Sequence, residues 1–215
     1  MSSPTAILYP NGQQLLSSAL TPKTINSFIL QLTCGMLGIN PPDYSQVRDS
    51  WQTQGQPFAD VGTDVCFVAC VPENVDYRLV RNRTYTTVPA QPGVEEQVQE
   101  NWTYTKGWRV DWVLYGPNAE DRARMLKTAL FLDWVNDELN NTNLFPLPDT
   151  PEVTRIPELV NAQWFERADF HCVMYENVTE TIMDGTVQSV EIKLFDASPD
   201  DPVADFTVVN PTPNV

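Results

Sequence analysis

His171 is the only histidine among 215 residues, and Asp169 lies two positions before it in a run that alternates like a strand. On one strand face such a pair has the parts of a general base and the carboxylate that orients it. The commoner occurrence of this pattern is an exposed strand histidine beside an acid. No nucleophile elbow, glycine-rich phosphate loop or His-Glu metal motif accompanies it. The four cysteines are Cys34, Cys66, Cys70 and Cys172. Cys66 and Cys70 fall on one face of a predicted strand, about 13 Å apart and beyond disulfide reach. With one distant histidine they form no zinc pattern, and all four read as small buried apolar residues in a reducing cytoplasm. The carboxylate pairs Glu120/Asp121 and Asp200/Asp201 suit a helix N-terminus and a solvated tail. The residues therefore predict no enzyme, no cofactor and no metal.

Residues suited to contact are more numerous. Arg78, Arg81, Arg83 and Tyr85 are gathered in one polar stretch of an otherwise acidic chain, and a meeting with an acidic surface is weighed against a solvated loop. Trp102, Tyr104, Trp108 and Trp112 share one strand. Trp108 and Trp112 read as core, whereas for Trp102 and Tyr104 core and interface readings stand level. Arg109/Asp111 and Arg167/Asp169 repeat an Arg-x-Asp pattern, which on neighbouring strands would form a cross-strand charge ladder. These ten residues, 78, 81, 83, 85, 102, 104, 109, 111, 167 and 169, are the candidate interface.

The element that must carry most of them runs from Trp102 to Leu139. Trp102, Tyr104, Trp108, Val110, Trp112 and Leu114 alternate, with Lys106 the single exception, so a long half-buried strand is predicted. At about 3.3 Å per residue it outruns a small core, and Leu79–Val88 with Gln97–Thr105 is predicted to project as a hairpin. Gly116-Pro117 ends the strand, Asn118 is the N-cap candidate, and one long helix to Leu139 follows. Its stripe of Ala119, Ala123, Leu126, Leu130 and Trp134 is widened by Met125, Leu132, Val135 and Leu139, as if covered on two sides.

Upstream, Thr21-Pro22 opens a helix with Ile25, Phe28, Ile29, Leu32 and Met36 on one face, stopped at Gly38. Val47–Gln54 is a short strand or loop, and Asp64–Val71 a strand covered on both faces. Downstream, Asn140–Val160 reads as a loop of about twenty residues, a length often functional. In the strand Gln163–Tyr175, the residues Trp164, Ala168, Phe170, Cys172 and Met174 share a face. After an Asp184-Gly185 turn, Val190, Ile192 and Leu194 form the inner face of another strand. The sum is an α+β fold: an antiparallel sheet of about four strands, two helices on one face, a projecting hairpin and extended terminal arms. Residues 1–20 read as an N-terminal arm, 21–195 as a single domain, and 196–215 as an acidic, proline-rich C-terminal arm.

The formal net charge of −15 opposes clamping of phosphates. It is uneven: residues 130–215 hold three basic against sixteen acidic side chains, residues 1–129 ten against twelve. Such asymmetry marks a face that repels or meets charge. Met1–Leu20 lacks the pattern of a secretory leader, and no run reaches the ~20 apolar residues of a membrane span. The Asn-x-Thr matches at Asn82, Asn101, Asn140 and Asn177 therefore read as chance.

Two stretches carry a family resemblance. Trp108-Arg-Val-Asp-Trp-Val-Leu-Tyr-Gly-Pro-Asn-Ala-Glu-Asp-Arg-Ala123 and Trp164-Phe-Glu-Arg-Ala-Asp-Phe170 resemble the neck or tail terminator proteins of tailed bacteriophages, with a looser likeness over residues 21–195. The resemblance implies a virion protein assembled in the host cytoplasm. It implies a homohexameric ring that ends tail-tube growth and joins tail to head connector, and that in contractile tails also meets the sheath. DNA would pass the bore without specific binding. It implies no catalytic residue or cofactor. Another virion module, of baseplate or capsid, is the main alternative; a hydrolase built on His171 and Asp169 is the last.

Overall fold

A computed structural model of the chain describes residues 5–8, 14–40, 42–51, 60–74, 82–89, 97–185, 189–195 and 202–209. Its centre is a pair of very long strands, β6 (Gln97–Tyr115) and β11 (Arg167–Gly185). They are paired antiparallel from Arg167↔Tyr115 to Gly185↔Gln97 without a slip. Alternation fixes that register, because a shift by one residue would turn every buried side chain outward. Trp108, Val110, Trp112 and Leu114 of β6 and Ala168, Phe170, Cys172 and Met174 of β11 are all buried on one face. Trp112 and Phe170 stack there with ring centroids 5.3 Å apart.

Seven further strands complete the sheet. They are β1 (Thr5–Leu8), β2 (Gln14–Ser17), β3 (Val47–Asp49), β4 (Val65–Glu73), β5 (Asn82–Val88), β7 (Leu144–Pro146) and β8 (Thr154–Arg155). The order is β1-β2-β11-β6-β4-β3. On one side of β6, β4 covers the core half and β5 the projecting half. On the free side of β11, β8, β7 and β2 follow one another along its length. The sheet thus has nine strands rather than about four, and it is mixed, since β3 runs parallel to β4. The stretch predicted as a loop from Asn140 to Val160 contains β7, β8 and half of the hairpin β9 (Glu158–Val160)/β10 (Gln163–Phe165). Segments of two or three residues leave no readable period, yet β7 and β8 satisfy part of the backbone of the β11 edge.

Three helices, not two, lie over the buried face. In α1 (Pro22–Met36) the Thr21 side chain accepts from Thr24 N–H. The helix ends in a Schellman motif, with Gly38 at φ 70°, Gly38 N–H on Gly35 O and Ile39 N–H on Cys34 O. Thr33, buried on this helix, accepts from Trp112 Nε1 at 3.0 Å and so pins α1 to β6. The predicted long helix is split into α2 (Ala119–Ala129) and α3 (Asp133–Asn140). Phe131 and Leu132 close i→i−3 turns on Thr128 and Ala129, and Leu132 is extended at ψ 144°. The break lets Leu130, Val135 and Leu139 all be buried, while Trp134 leaves the stripe and lies against Gly35 of α1. Met125 and Leu132, expected under a second cover, are half-exposed beside Met36 and Ala129 in a shallow groove.

The turn from β6 into α2 has its own lock. Gly116 sits at φ 116°, where a Cβ would come within 2.7 Å of Asp64 Cα and Thr63 O. Asn118 occupies the N-cap position but does not cap with its own side chain. Asp64 does the work instead, accepting from Asn118 N–H at 3.0 Å and from Asn118 Nδ2 at 2.9 Å.

The strand predicted from Gln163 is broken at Glu166. The tight turn at Asn161-Ala162, both at positive φ, closes the β9/β10 hairpin, which buries Phe165 and leaves Trp164 66% exposed. Trp164 therefore does not share the core face of Ala168 to Met174. β12 (Ser189–Phe195) pairs with β13 (Pro202–Val209) in a separate two-stranded sheet. Val190, Ile192 and Leu194 stand opposite Val208, Phe206 and Ala204, which places a regular strand in the proline-rich tail. Pro202 falls at a strand start, where its missing N–H is tolerated. The N-terminal stretch likewise contains the β1/β2 hairpin, hydrogen-bonded to β11.

Candidate interaction surface

The projecting half of the sheet is built from β5, the first half of β6, the last half of β11, β2 and β1. From Gln97 to Lys106 every residue of β6 is half-buried whichever way it points, so among the described residues neither face is buried as the core half is. The predicted pairing of Leu79–Val88 with Gln97–Thr105 is present where it is described: β5 pairs with β6 from Asn82↔Thr103 to Val88↔Gln97, and residues 79–81 lie outside the described residues. Arg83 stacks its guanidinium 4.5 Å from the centroid of the Trp102 ring, its register partner, and lies 3.8 Å from Glu100. Tyr85, 64% exposed, donates to Glu100 at 2.9 Å. Tyr104 donates to Glu180 of β11 at 2.9 Å. Trp102 and Tyr104 are therefore half-buried wall of the arm, and Arg83 and Tyr85 its exposed rim. Arg78 and Arg81 lie outside the described residues.

The two Arg-x-Asp patterns are on neighbouring strands, but they form no ladder. Asp111 faces His171 and Asp169 faces Val113 in the register. Each arginine instead closes on the aspartate of its own strand. Arg109 Nε donates to Asp111 at 3.0 Å, with Glu73 at 4.0 Å. Arg167 makes two bonds of 2.7 Å to Asp169 and one of 2.9 Å to Glu158. The Asp169 hydrogen bonds and then Glu158 hold the Arg167 proton above the usual arginine range. Tyr115 joins this cluster by donating to Glu158 at 2.6 Å, and burial with that bond pushes its phenol up to about 12. The same bond, followed by Arg167, holds Glu158 below the usual carboxylate range. His171 is exposed on this face, and both Asp169 oxygens are engaged by Arg167 rather than by the imidazole.

The four cysteines are free and buried. Burial raises every one of the thiols, Cys70 to about 12, so they stay protonated and unreactive. Among the described residues no group of three or more His, Cys, Asp or Glu side chains could hold a metal ion.

Two features escaped the sequence reading. Glu176 is only 1% exposed. It accepts from Leu20 N–H at 2.5 Å and from Trp108 Nε1 at 2.7 Å. Its register partner Lys106 lies 4.0 Å away, donates to Leu20 O at 3.0 Å and covers the Trp108 ring at 4.1 Å. Burial lowers the Lys106 pKa, and Glu176 offsets part of that. Lys106, the one break in the alternation, was the available signal: a charge on a core face needs a partner. The second feature is an exposed apolar knob, Ile156, Leu159 and Trp164, around the β9/β10 hairpin. No period marks it, because two three-residue strands are too short to show one.

A sheet longer than its core, with charged side chains satisfied along its faces and aromatic side chains at its rim, is the build of a protein that works by contact with other proteins. The chain belongs to the family of phage neck terminator proteins, whose family model it matches over residues 23–210. It is thus a structural component of the bacteriophage virion, associated with other tail and head proteins. Among curated proteins no match to the chain is found. No helix among the described residues is long and apolar enough to cross a membrane.

Proposed function

We propose that the chain assembles into a homohexameric ring in the phage neck, ending the tail tube and joining the tail to the head connector. The family match over residues 23–210 carries this reading, and the uncovered projecting sheet supplies surface for the neighbours. The ring is put together in the host cytoplasm, contacts the tube protein and the connector, and in a contractile tail also the sheath. It acts through the domain predicted over residues 21–195, with the β1/β2 hairpin of the N-terminal stretch added to its sheet, and without a catalytic step or cofactor.

Within this reading Arg78, Arg81, Arg83, Tyr85, Trp102 and Tyr104 meet the neighbouring subunit or tube. Arg109/Asp111 and Arg167/Asp169 hold the outer sheet face that a partner covers. Part of the excess acidic charge lines the bore, where it repels DNA and lets it slide. Light scattering and negative-stain imaging of the purified protein, alone and with tail tubes, test the assembly. Rings of six support it, and a monomer in both settings overturns it. A ring structure with a neutral or basic bore would discard the sliding role of the charge.

A further inference from the structure

The projecting sheet has two open edges in one molecule. Among the described residues no strand pairs with the outer side of β5 or of β1. Both edges stand at the same height. One row runs Thr5–Ser17–Glu180–Trp102–Arg83, and the next three end on Ala6 and Thr84, Ile7 and Tyr85, and Leu8 and Thr86. Five strands alternate in direction across these rows, so β1 and β5 run the same way.

An open edge presents a ladder of unpaired N–H and C=O groups and is normally blunted by proline, lysine or a bulge. β5 (Asn-Arg-Thr-Tyr-Thr-Thr-Val) contains neither proline nor lysine. Its register with β6 is unbroken from end to end, and its residues are nearly all exposed. Thr, Tyr and Val are strand formers. It is an edge shaped to be paired, and the strand at matching height is β1 of another copy.

We infer that β5 of one subunit pairs, parallel, with β1 of the next, so that the projecting sheets join into one closed β-wall around the assembly. The inference rests on the ring reading and adds the contact that closes it. A head-to-tail contact of two different edges closes when the rotation per subunit divides the circle, and it then leaves no edge exposed. Pairing β5 with β5, or β1 with β1, would instead give two-fold dimers and leave edges open.

Cysteine cross-linking tests this in the full-length chain, where the four native thiols are buried. The double variants Ala6→Cys/Thr84→Cys and Leu8→Cys/Thr86→Cys, each taking both ends of one row, are treated with a short bismaleimide. Covalent oligomers are read on denaturing gels, and the mass of the untreated variant by light scattering. The expected result is a ladder extending to the ring size from both double variants and no product from any of the four single variants. The two pairs move along both strands in the same sense, so linking of both is the mark of parallel pairing. Rings without a ladder in either double variant overturn the edge contact and leave the ring reading standing. Dimers from a single variant overturn it in favour of like-with-like pairing. A monomeric mass for the variants and the parent, alone and on tubes, removes both readings together.

Discussion

At the scale of single residues, the decisive group is Glu176. Its two carboxylate oxygens hold two different donors, Leu20 N–H and Trp108 Nε1. Glu176→Gln leaves one of those donors facing an amide NH₂, and an unsatisfied buried donor costs about 1–3 kcal/mol. Denaturant unfolding should show that loss, with a smaller one for Lys106→Met, because Lys106 keeps a quarter of its side chain in water. Tyr115 gives a pH signature. Its folded pKa, about 12, lies above the ordinary 10.0. The associated stability is complete below about pH 10, where both states are protonated, and drains away as pH rises toward about 12, because the unfolded phenol ionises first. Unfolding midpoints followed through this alkaline range should fall more steeply for the parent than for Tyr115→Phe. If the two slopes agree, burial and the Glu158 bond together do not raise the Tyr115 phenol.

At the scale of elements, the β6-to-α2 turn joins the longest strand to the helix layer, and it is held from outside by Asp64. Asp64→Ala removes the acceptor for Asn118 N–H and Nδ2, a loss comparable to that of a helix cap, about 1 kcal/mol. Gly116→Ala should be worse by thermal or denaturant unfolding. It adds a Cβ at φ 116° with backbone atoms 2.7 Å away, which exceeds the ordinary glycine effect of about 1 kcal/mol. A Gly116→Ala variant as stable as the parent would mean that the turn can be rebuilt in another conformation.

At the scale of the whole molecule, stability and assembly should come apart. The core lies under the helices around Trp108, Trp112 and Phe170, whereas Tyr85 is on the far arm with one exposed hydrogen bond. Tyr85→Ala is therefore expected to change unfolding stability by no more than about 0.5 kcal/mol. It should nevertheless lower the assembled fraction in light scattering, since aromatic side chains at a contact dominate its energy. An equal loss in both measurements would place Tyr85 in the fold rather than at the contact.

Strong periods survived the passage from sequence to structure. Alternation in Trp102–Leu114 was enough to predict the long strand and its projecting hairpin. Thr21-Pro22 and Gly38 bounded α1, because caps and positive φ are local requirements. Regular burial on one face is written into a chain as repeating residue type, and can be read wherever the repeat is long. What repeats too briefly, or depends on residues far away, only the tertiary structure decided. The strands β3, β7, β8, β9 and β10 hold two or three residues each, too few for a period. The helix break at Leu132 is chosen by where Leu130, Val135 and Leu139 find room, and the cap on α2 comes from Asp64, 54 residues away from Asn118. The Arg-x-Asp pairs were legible as residues, but the cross-strand ladder was not decided by them: the register sets Asp111 opposite His171 and Asp169 opposite Val113, and each arginine closes on the aspartate of its own strand. Lys106 looked like an error in the pattern until Glu176, seventy residues later, came to lie opposite it.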